Sequence, residues 1–326
     1  MTPGPLPLAV RRRPTWPDLP AEVRAAIEAR IGTRVHAWSS RDAGYSPGFA
    51  SVLATSDGSV FVKAVDAVHE VSAHMYREEA RRHAVLPESV PAPRCRWVLE
   101  VRLHDGGQWV ALGFDAVQGA TPRQPWDDAE LAAVASLAGR IAEHELPAGS
   151  LPEAAQEIAS MDRWAALAAE RPVGLSTYDP WVGANLDTLA ALCAPVAEAV
   201  SGPHLVHGDL RGDNALLVLD RGAVPALRAL AVDWPFAARG AAFCDLVGML
   251  PAVQVEGGPD PASMLAQHPL PAGTDDDAVT CYVGVLTGYF LHSSLQPPPP
   301  AIPHVRAFQR AQAEACIPWL RHRLRA

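Results

Sequence analysis

The chain has 326 residues, of which 49% are hydrophobic and 19% charged, and its formal net charge is -9. This length suits one large or two modest globular domains, and the acidic balance argues against a nucleic-acid-binding surface. The five cysteines show no CxxC spacing and no apolar run is long enough to cross a membrane, so we expect a cytoplasmic protein with reduced thiols.

Residues 1–117 are predicted to form a small, mainly antiparallel β unit. Residues 1–17 are Pro-rich and suggest an irregular arm, and residues 18–32 follow as an amphipathic helix that stops at Gly32. A helix over 71–86 is expected between the third and fourth strands. The five strands are expected over 33–40, 49–56, 59–66, 96–103 and 108–117.

Residues 118–326 are predicted to form a larger, mainly helical unit. A short strand is expected at 229–233, and four consecutive prolines after Gln296 predict a stiff connector. The fold class is therefore α+β. The helices are expected over 126–146, 151–170, 185–200, 242–250, 275–295 and 302–325.

Lysine occurs once, at Lys63, although the chain has 27 basic residues. A compact ammonium kept at one place suggests a site that needs a point charge rather than a planar guanidinium. A strand lysine paired with a helix glutamate positions the α- and β-phosphates of a nucleotide. The helix after Lys63 carries two adjacent acids. Glu79 is the expected partner because it would face inward, Glu78 is the alternative, and solvated surface charge is the other interpretation of either acid.

The stretch from Pro203 to Leu219 places His207-Gly208-Asp209 and, five positions after the aspartate, Asn214 between two apolar runs. It predicts a carboxylate on a tight loop between two short buried strands, where catalytic groups are commonly held. Phosphoryl transfer needs one oxygen to orient the proton of an attacking hydroxyl and another to hold the Mg²⁺ that bridges the phosphates. Asp and Asn also favour turns for backbone reasons alone, so Asp209 and Asn214 indicate a catalytic site only if other candidate site residues accompany them.

Asp233 is the first further candidate residue for this site. It ends the predicted strand 229–233, and a hairpin that returns to the loop would bring it beside Asn214. One carboxylate and one amide make an oxygen-only site suited to Mg²⁺, which takes its remaining ligands from water and phosphates.

Two weaker features complete the set. Asp245 opens a predicted helix and is placed to hydrogen-bond the backbone of the Asp209 loop, although an acid at a helix N-terminus also stabilises the helix by itself. The turn from Gly44 to Gly48 could offer backbone N–H groups and the Ser46 hydroxyl to a phosphate, but such a glycine turn occurs in many hairpins.

In these motifs the chain resembles the aminoglycoside phosphotransferase and choline kinase-like family. VHGDLRGDN matches the family pattern His-Gly-Asp-x-x-x-x-Asn, and VDWPFAARGAAFCDL matches a metal Asp, an aromatic, a Gly and a second Asp. GYSPG, VFVK, YREEA and FDAVQG follow the family order more loosely, so the resemblance covers residues 33–250. It implies a two-lobed, protein-kinase-like fold.

The chain departs from this family's pattern at Pro235, and from protein kinases in its glycine turn and in lacking an activation segment. Pro235 stands where many members have a polar residue, and the glycine turn has only Gly44 and Gly48. No A-P-E sequence and no long segment between Asp233 and Asp245 could serve as an activation loop. A small-molecule acceptor is therefore expected rather than a protein.

The resemblance implies a role for each candidate residue. Asp209 would be the base or orienter of the acceptor hydroxyl, Asn214 and Asp233 would hold Mg²⁺, and Lys63 with Glu79 would clamp the phosphates of ATP or GTP. The other implied contacts are Ser46 with the β-phosphate region, backbone groups of Asp115 and Val117 with the purine, and His207 and Asp245 as braces of the catalytic loop.

The expected function is Mg²⁺-dependent transfer of a nucleotide γ-phosphate to a small-molecule hydroxyl, with an antibiotic or sugar-like natural product as the leading acceptor. A kinase of a choline, amino alcohol or homoserine type of metabolite, and a non-catalytic nucleotide-binding regulator, are the alternatives. No nucleic-acid, membrane or protein partner is expected.

The charge of the acceptor stays open. Acids at Asp260 and Asp275 to Asp277 would suit a polycation but also fit solvated helix starts. Residues 301–326, with five Arg and one Glu, would favour a neutral or acidic acceptor only if they line its pocket.

Overall fold

The structure is a computed structural model that describes residues 13–41, 47–220, 222, 224, 226–299 and 304–325. These residues divide into two compact units. The strand unit comprises residues 13–120 and 230–236, and the helical unit comprises residues 121–229 and 237–325. Across the described residues, no helix has the length and apolarity needed to cross a membrane.

The strand unit is built on one antiparallel sheet with the strand order β1-β2-β3-β5-β4. Two helices belong to it, α1 (Ala21–Ile31) before the sheet and α2 (Glu70–His83) between β3 and β4. The predicted five strands and inserted helix are confirmed. The strands are β1 (Val35–Ser40), β2 (Phe49–Thr55), β3 (Gly58–Asp66), β4 (Cys95–Arg102) and β5 (Gln108–Asp115).

The two faces of this sheet bury different partners. One face packs against α1 and a short 3-10 turn, Trp16–Asp18, whose Trp16 ring lies 6.0 Å from that of Phe49. The other face packs against α2 through Tyr76 and Phe114. Residues 13–17 of the predicted irregular arm are ordered, with a 3-10 turn that begins at Trp16, because burying this aromatic ring offsets the entropy of ordering the chain.

The helical unit contains ten helices within the described residues and carries the predicted catalytic stretch between two short strands. Strands β6 (His204–Val206) and β9 (Ala238–Gly240) pair antiparallel, and β7 (Ala215–Leu219) pairs with β8 (Leu227–Ala231), whose last two residues belong to the strand unit. The helices are α3 (Asp128–Ala142), α4 (Ala154–Ala159), α5 (Trp164–Glu170), α6 (Pro180–Ala184), α7 (Leu186–Cys193), α8 (Val196–Ala199), α9 (Cys244–Val255), α10 (Pro261–Gln267), α11 (Asp276–Ser294) and α12 (Val305–Arg323).

Two predicted long helices are each divided in the structure. The stretch 151–170 forms α4 and α5, and Asp162 between them accepts a hydrogen bond from the Trp164 N–H at 3.0 Å, which starts the second helix. The stretch 185–200 forms α7 and α8, which are separated before Pro195, a residue that lacks the N–H needed to continue a helix.

Candidate active site

Lys63 lies on β3 at the centre of a charged cluster in the strand unit. Its Nζ is 2.9 Å from both carboxylate oxygens of Glu79 on α2 and 2.8 Å from Oδ1 of Asp233. The lysine side chain is 13% exposed and the Glu79 side chain only 2%. Of the two acids left open by the sequence, Glu79 is therefore the one in contact with Lys63. Glu78 instead pairs with Arg81 and Arg82.

The electrostatics of this cluster follow from one cation shared by two acids. Burial alone would lower the pKa of Lys63, but the charges of Asp233 and Glu79 raise it above its ordinary value. Burial raises the pKa of Glu79 to about 7, while Lys63 and a backbone hydrogen bond from Trp234 act in the opposite direction. The ammonium is thus held charged in a poorly hydrated place, where its field on a phosphate is strong.

Asp233 is held in an unusual backbone conformation. Its φ is +71°, in the left-handed region that non-glycine residues seldom adopt. The neighbouring Trp234 is buried and its indole N–H donates to the Ala231 carbonyl at 3.1 Å, which anchors the segment. Such strained residues persist where the surroundings fix them, and they cluster at functional sites.

The catalytic loop predicted at His207–Asn214 joins β6 to β7 in the helical unit. Gly208 has φ +83°, so the turn needs the conformational freedom of glycine. The Asp245 carboxylate, in the first turn of α9, accepts hydrogen bonds from the His207 N–H at 2.7 Å and the Gly208 N–H at 3.0 Å. His207 is fully buried, and its Nδ1 accepts from the Asp209 N–H at 3.3 Å. These contacts fix the backbone on both sides of Gly208.

The Asp245 carboxyl group that makes these hydrogen bonds is itself buried. Burial raises the pKa of its carboxyl to about 6, although the two backbone N–H groups lower it. The carboxylate is therefore kept in a buried place by the hydrogen bonds that it makes to the loop.

Asn214 is fixed by the same loop. Its Nδ2 donates to the Asp209 carbonyl at 2.7 Å and to Asp209 Oδ2 at 3.1 Å, so the amide oxygen Oδ1 faces away from these bonds. An amide oxygen here and the half-exposed carboxylate of Asp233 are hard ligands of the kind that Mg²⁺ takes. Within the described ranges, no group of three or more His, Cys, Asp or Glu side chains forms a metal cluster. Taken singly, each of these two oxygens has the donor chemistry that suits Mg²⁺.

The remaining predicted nucleotide contacts are those of Ser46, Asp115 and Val117. Ser46 lies outside the described residues. The N–H of Asp115 donates to the Arg94 carbonyl at 2.9 Å, so the predicted purine contact of this residue rests on its carbonyl oxygen. Val117 follows β5 and is half-buried.

The arginines of the C-terminal segment have partners within the helical unit. The Arg310 guanidinium lies 4.5 Å from the centroid of the Tyr178 ring and donates to Thr177. Arg321 pairs with Asp179, and Arg323 donates to the Asp276 side chain at 2.9 Å. The side chain of Asp260 caps α10 and that of Asp275 caps α11. These charges are accounted for by local structure.

Sequence reasoning did not single out three residues near the loop, Arg211, Trp126 and Glu256. The Arg211 guanidinium contacts Asp209 and Asp213. Arg211 stands inside the motif itself, whereas Trp126 and Glu256 lie far from it in sequence, and no spacing signals their approach.

The model of the phosphotransferase enzyme family matches residues 42–279. The chain belongs to this family. It is therefore a small-molecule phosphotransferase, as the sequence predicted. A comparison with curated protein sequences gives no significant match.

Solved structures confirm the two-lobed, kinase-like α+β fold. An aminoglycoside 2'-phosphotransferase in complex with GDP has a TM-score of 0.56 at 16% identity and covers 93% of this chain and 98% of its own. A spectinomycin phosphotransferase with ADP and spectinomycin has a TM-score of 0.55 at 11% identity and covers 91% and 98%. A Plasmodium vivax ethanolamine kinase has a TM-score of 0.52 at 11% identity and covers 88% and 83%.

Proposed function

We propose that this phosphotransferase moves the γ-phosphate of a nucleoside triphosphate to a hydroxyl group of a small molecule in a Mg²⁺-dependent reaction. The observation that carries the proposal is the Asp209 loop. Its carboxylate is 37% exposed, while the backbone around it is fixed by His207, Asn214 and Asp245. A carboxylate that is accessible and yet rigidly mounted suits the orientation of an attacking hydroxyl.

The chemical step follows from these roles. The acceptor oxygen attacks the γ-phosphorus as its proton passes to the Asp209 carboxylate, and the bond from the γ-phosphorus to the bridging oxygen of the nucleoside diphosphate breaks. Lys63, held charged by Glu79 and Asp233, stabilises the negative charge of the phosphates. Asn214 and Asp233 are the proposed ligands of Mg²⁺, which when bound neutralises charge on the phosphate oxygens.

The nucleotide is proposed to bind the strand unit through Lys63, the carbonyl of Asp115 and the backbone of Val117, with Ser46 near the β-phosphate. Backbone groups at a strand end bind purines without selecting one strongly. The relatives support either donor, since one was solved with GDP and another with ADP.

A hydroxylated antibiotic or sugar-like natural product is the leading acceptor, and an amino alcohol of primary metabolism is the alternative. Aminoglycosides, spectinomycin and ethanolamine, which the relatives' descriptions name, carry both hydroxyl and amino groups. Arg321 and Arg323 of α12 pair with Asp179 and Asp276, which weakens the case for an acidic acceptor.

A coupled nucleotide-turnover assay tests the proposal. ATP or GTP is supplied with Mg²⁺ and a panel of spectinomycin, an aminoglycoside, ethanolamine, choline and homoserine. We expect acceptor-dependent turnover that Asp209→Ala lowers by about 10²–10⁴-fold, while Asp220→Asn, a change at an exposed carboxylate of the helical unit, leaves it unchanged. Turnover that survives Asp209→Ala contradicts the proposed mechanism, and nucleotide binding without turnover favours a regulator instead.

A further inference from the structure

Arg211, two positions after Asp209, carries its guanidinium directly against the Asp209 carboxylate. Nε lies 3.2 Å from Oδ1, and Nη2 donates to Oδ2 at 3.3 Å. Only the Nη2 contact is a hydrogen bond, and the Nε contact is an ion-pair distance; together the two contacts restrict the orientation of the carboxylate more than either does alone. Arg211 is 19% exposed against 37% for Asp209, so the arginine is the more sheltered partner.

The same guanidinium is held from its other side. Nη2 of Arg211 also donates to Oδ2 of Asp213 at 3.3 Å, so one cation bridges two carboxylates of the same loop. Asp213 is 15% exposed. Because the mostly buried Asp213 carboxylate also holds the Arg211 guanidinium, the contact between Arg211 and Asp209 differs from an ion pair of two mobile surface side chains.

Behind the loop lies a hydrogen-bonded pair from two distant parts of the helical unit. The Trp126 indole N–H, in the segment before α3, donates at 3.0 Å to Oε2 of Glu256 at the end of α9. A Cβ atom added to Gly212 would lie 2.9 Å from Cζ2 of Trp126 and 3.4 Å from Oε2 of Glu256. The backbone between Arg211 and Asp213 is therefore seated directly on this pair, and only glycine fits there.

Charge couples the pair to the arginine. Burial and then the charge of Asp213 raise the pKa of Glu256 to about 7, while the Trp126 hydrogen bond and the charge of Arg211 lower it. The guanidinium of Arg211 thus lies in the field of three carboxylates, two of them direct partners.

We propose that Arg211 is a positioning residue of the transfer reaction: seated by Asp213 and by the Trp126–Glu256 pair, it orients the Asp209 carboxylate towards the acceptor hydroxyl. This inference rests on the proposed function, in which Asp209 receives the acceptor proton. Arg211 acts through Asp209 and touches no reacting atom in this role. Misplacement of a reacting group by about 1 Å costs up to roughly 100-fold in rate, so a lost anchor should be visible in kcat.

The test uses the full-length protein and hydrolysis of MgATP with water as the acceptor. We expect Arg211→Met to lower kcat by roughly 30-fold and Arg211→Lys by about tenfold, because the single ammonium nitrogen cannot take the positions of both Nε and Nη2. The KM for MgATP should stay within about twofold of wild type. Added guanidinium chloride, at a concentration that leaves the circular dichroism unchanged, should restore part of the Arg211→Met activity, and sodium chloride should not.

Two further sets of variants separate positioning from folding. Arg228→Met removes a more exposed arginine that pairs with Asp220 in the same unit, and we expect unchanged kinetics. Trp126→Phe should lower kcat by about threefold when Arg211 is present, but should have no further effect in the Arg211→Met background.

Each result decides the inference. An Arg211→Met protein with the kcat of wild type overturns it. So does a folded Arg211→Met protein whose loss lies in KM or is not relieved by guanidinium, and if that variant does not fold, the Arg211→Lys kinetics decide alone. A wild-type protein that binds MgATP but turns it over with neither water nor any acceptor of the panel refutes the proposed function first, and the inference falls with it.

Discussion

The protein has two charged centres, and their charged side chains are held in place in different ways. In the strand unit, the Lys63 ammonium is buried between the carboxylates of Glu79 and Asp233, and the elements that carry it are a strand and a helix. In the helical unit, the carboxylate of Asp209 is accessible, and its support comes from hydrogen bonds to a loop. The first centre depends on desolvated charge and the second on backbone geometry.

This difference predicts how each centre responds to substitution. A buried charge that loses a partner is costly because the remaining charge has little water around it. A loop carboxylate that loses a supporting hydrogen bond stays hydrated but is no longer held in one orientation. Such a substitution should therefore lower the reaction rate rather than the free energy of unfolding.

The largest effect is expected from Lys63→Arg, although the charge is conserved. A guanidinium is larger than an ammonium and planar, so it does not fit the compact buried place between Glu79 and Asp233, and kcat/KM for MgATP should fall by about 10²–10³-fold. Steady-state kinetics measure this. Arg77→Lys, at an exposed ion pair on α2, serves as the control and should change nothing. A Lys63→Arg enzyme within about threefold of wild type would remove the reason for the single lysine.

The adjacent acids of α2 give a matched pair for stability. Glu79→Gln should lower the free energy of unfolding by about 3 kcal/mol because it leaves a buried lysine with one partner. Glu78→Gln should cost less, about 1 kcal/mol, because Arg81, one of its two arginine partners, is 68% exposed. Urea denaturation followed by circular dichroism compares the two. Equal losses would contradict the distinction between a buried and a surface pair.

Glu256 provides a pH test in the helical unit. Because folding raises the pKa of its carboxyl to about 7, the protonated form favours the folded state, and this stability is lost as pH rises from about 4.5 to about 7. Glu256→Gln should therefore match wild type near pH 4 and exceed it at pH 8 by about 2 kcal/mol. Chemical denaturation at both pH values measures the difference. A variant that is less stable than wild type at pH 8 would contradict the assigned burial.

Asp233→Asn should have the smallest effect on activity, and it should act on the metal and, through the lost ion pair, on Lys63. Asparagine tolerates a positive φ, so the backbone strain is unchanged while one anionic oxygen is lost. The Mg²⁺ concentration for half-maximal activity should rise by about tenfold. Magnesium titration at fixed ATP measures it, with Asp66→Asn on the same unit as the control. An unchanged Mg²⁺ dependence would exclude Asp233 as a ligand.

What the sequence could predict was local. The pattern of apolar residues predicted the five strands of the sheet, and the expected inward face of the helix selected Glu79 as the partner of Lys63. The Asp245 contact was expected because helix starts and loop backbones have complementary polar groups. The divided helix at Pro195 could have been foreseen from the missing N–H.

What the sequence could not predict depends on contacts between distant residues. Lys63 meets Asp233 across 170 positions, and Trp126 meets Glu256 across 130. No periodicity carries such information, because those pairs form only after the surrounding helices have packed. The identity of the acceptor cannot be read from the sequence for the same reason, because its pocket is formed by residues that are distant in the chain.

The most direct test of the central claim follows the transferred phosphate itself. MgATP, the wild-type enzyme and an acceptor that it turns over are incubated in ¹⁸O-labelled water, and the products are analysed by ³¹P NMR and mass spectrometry. Transfer to a hydroxyl predicts the nucleoside diphosphate and a phosphate monoester of the acceptor without ¹⁸O, formed at least about 10²-fold more slowly by Asp209→Asn. Inorganic phosphate containing ¹⁸O as the sole phosphorylated product would show transfer to water and would contradict the account.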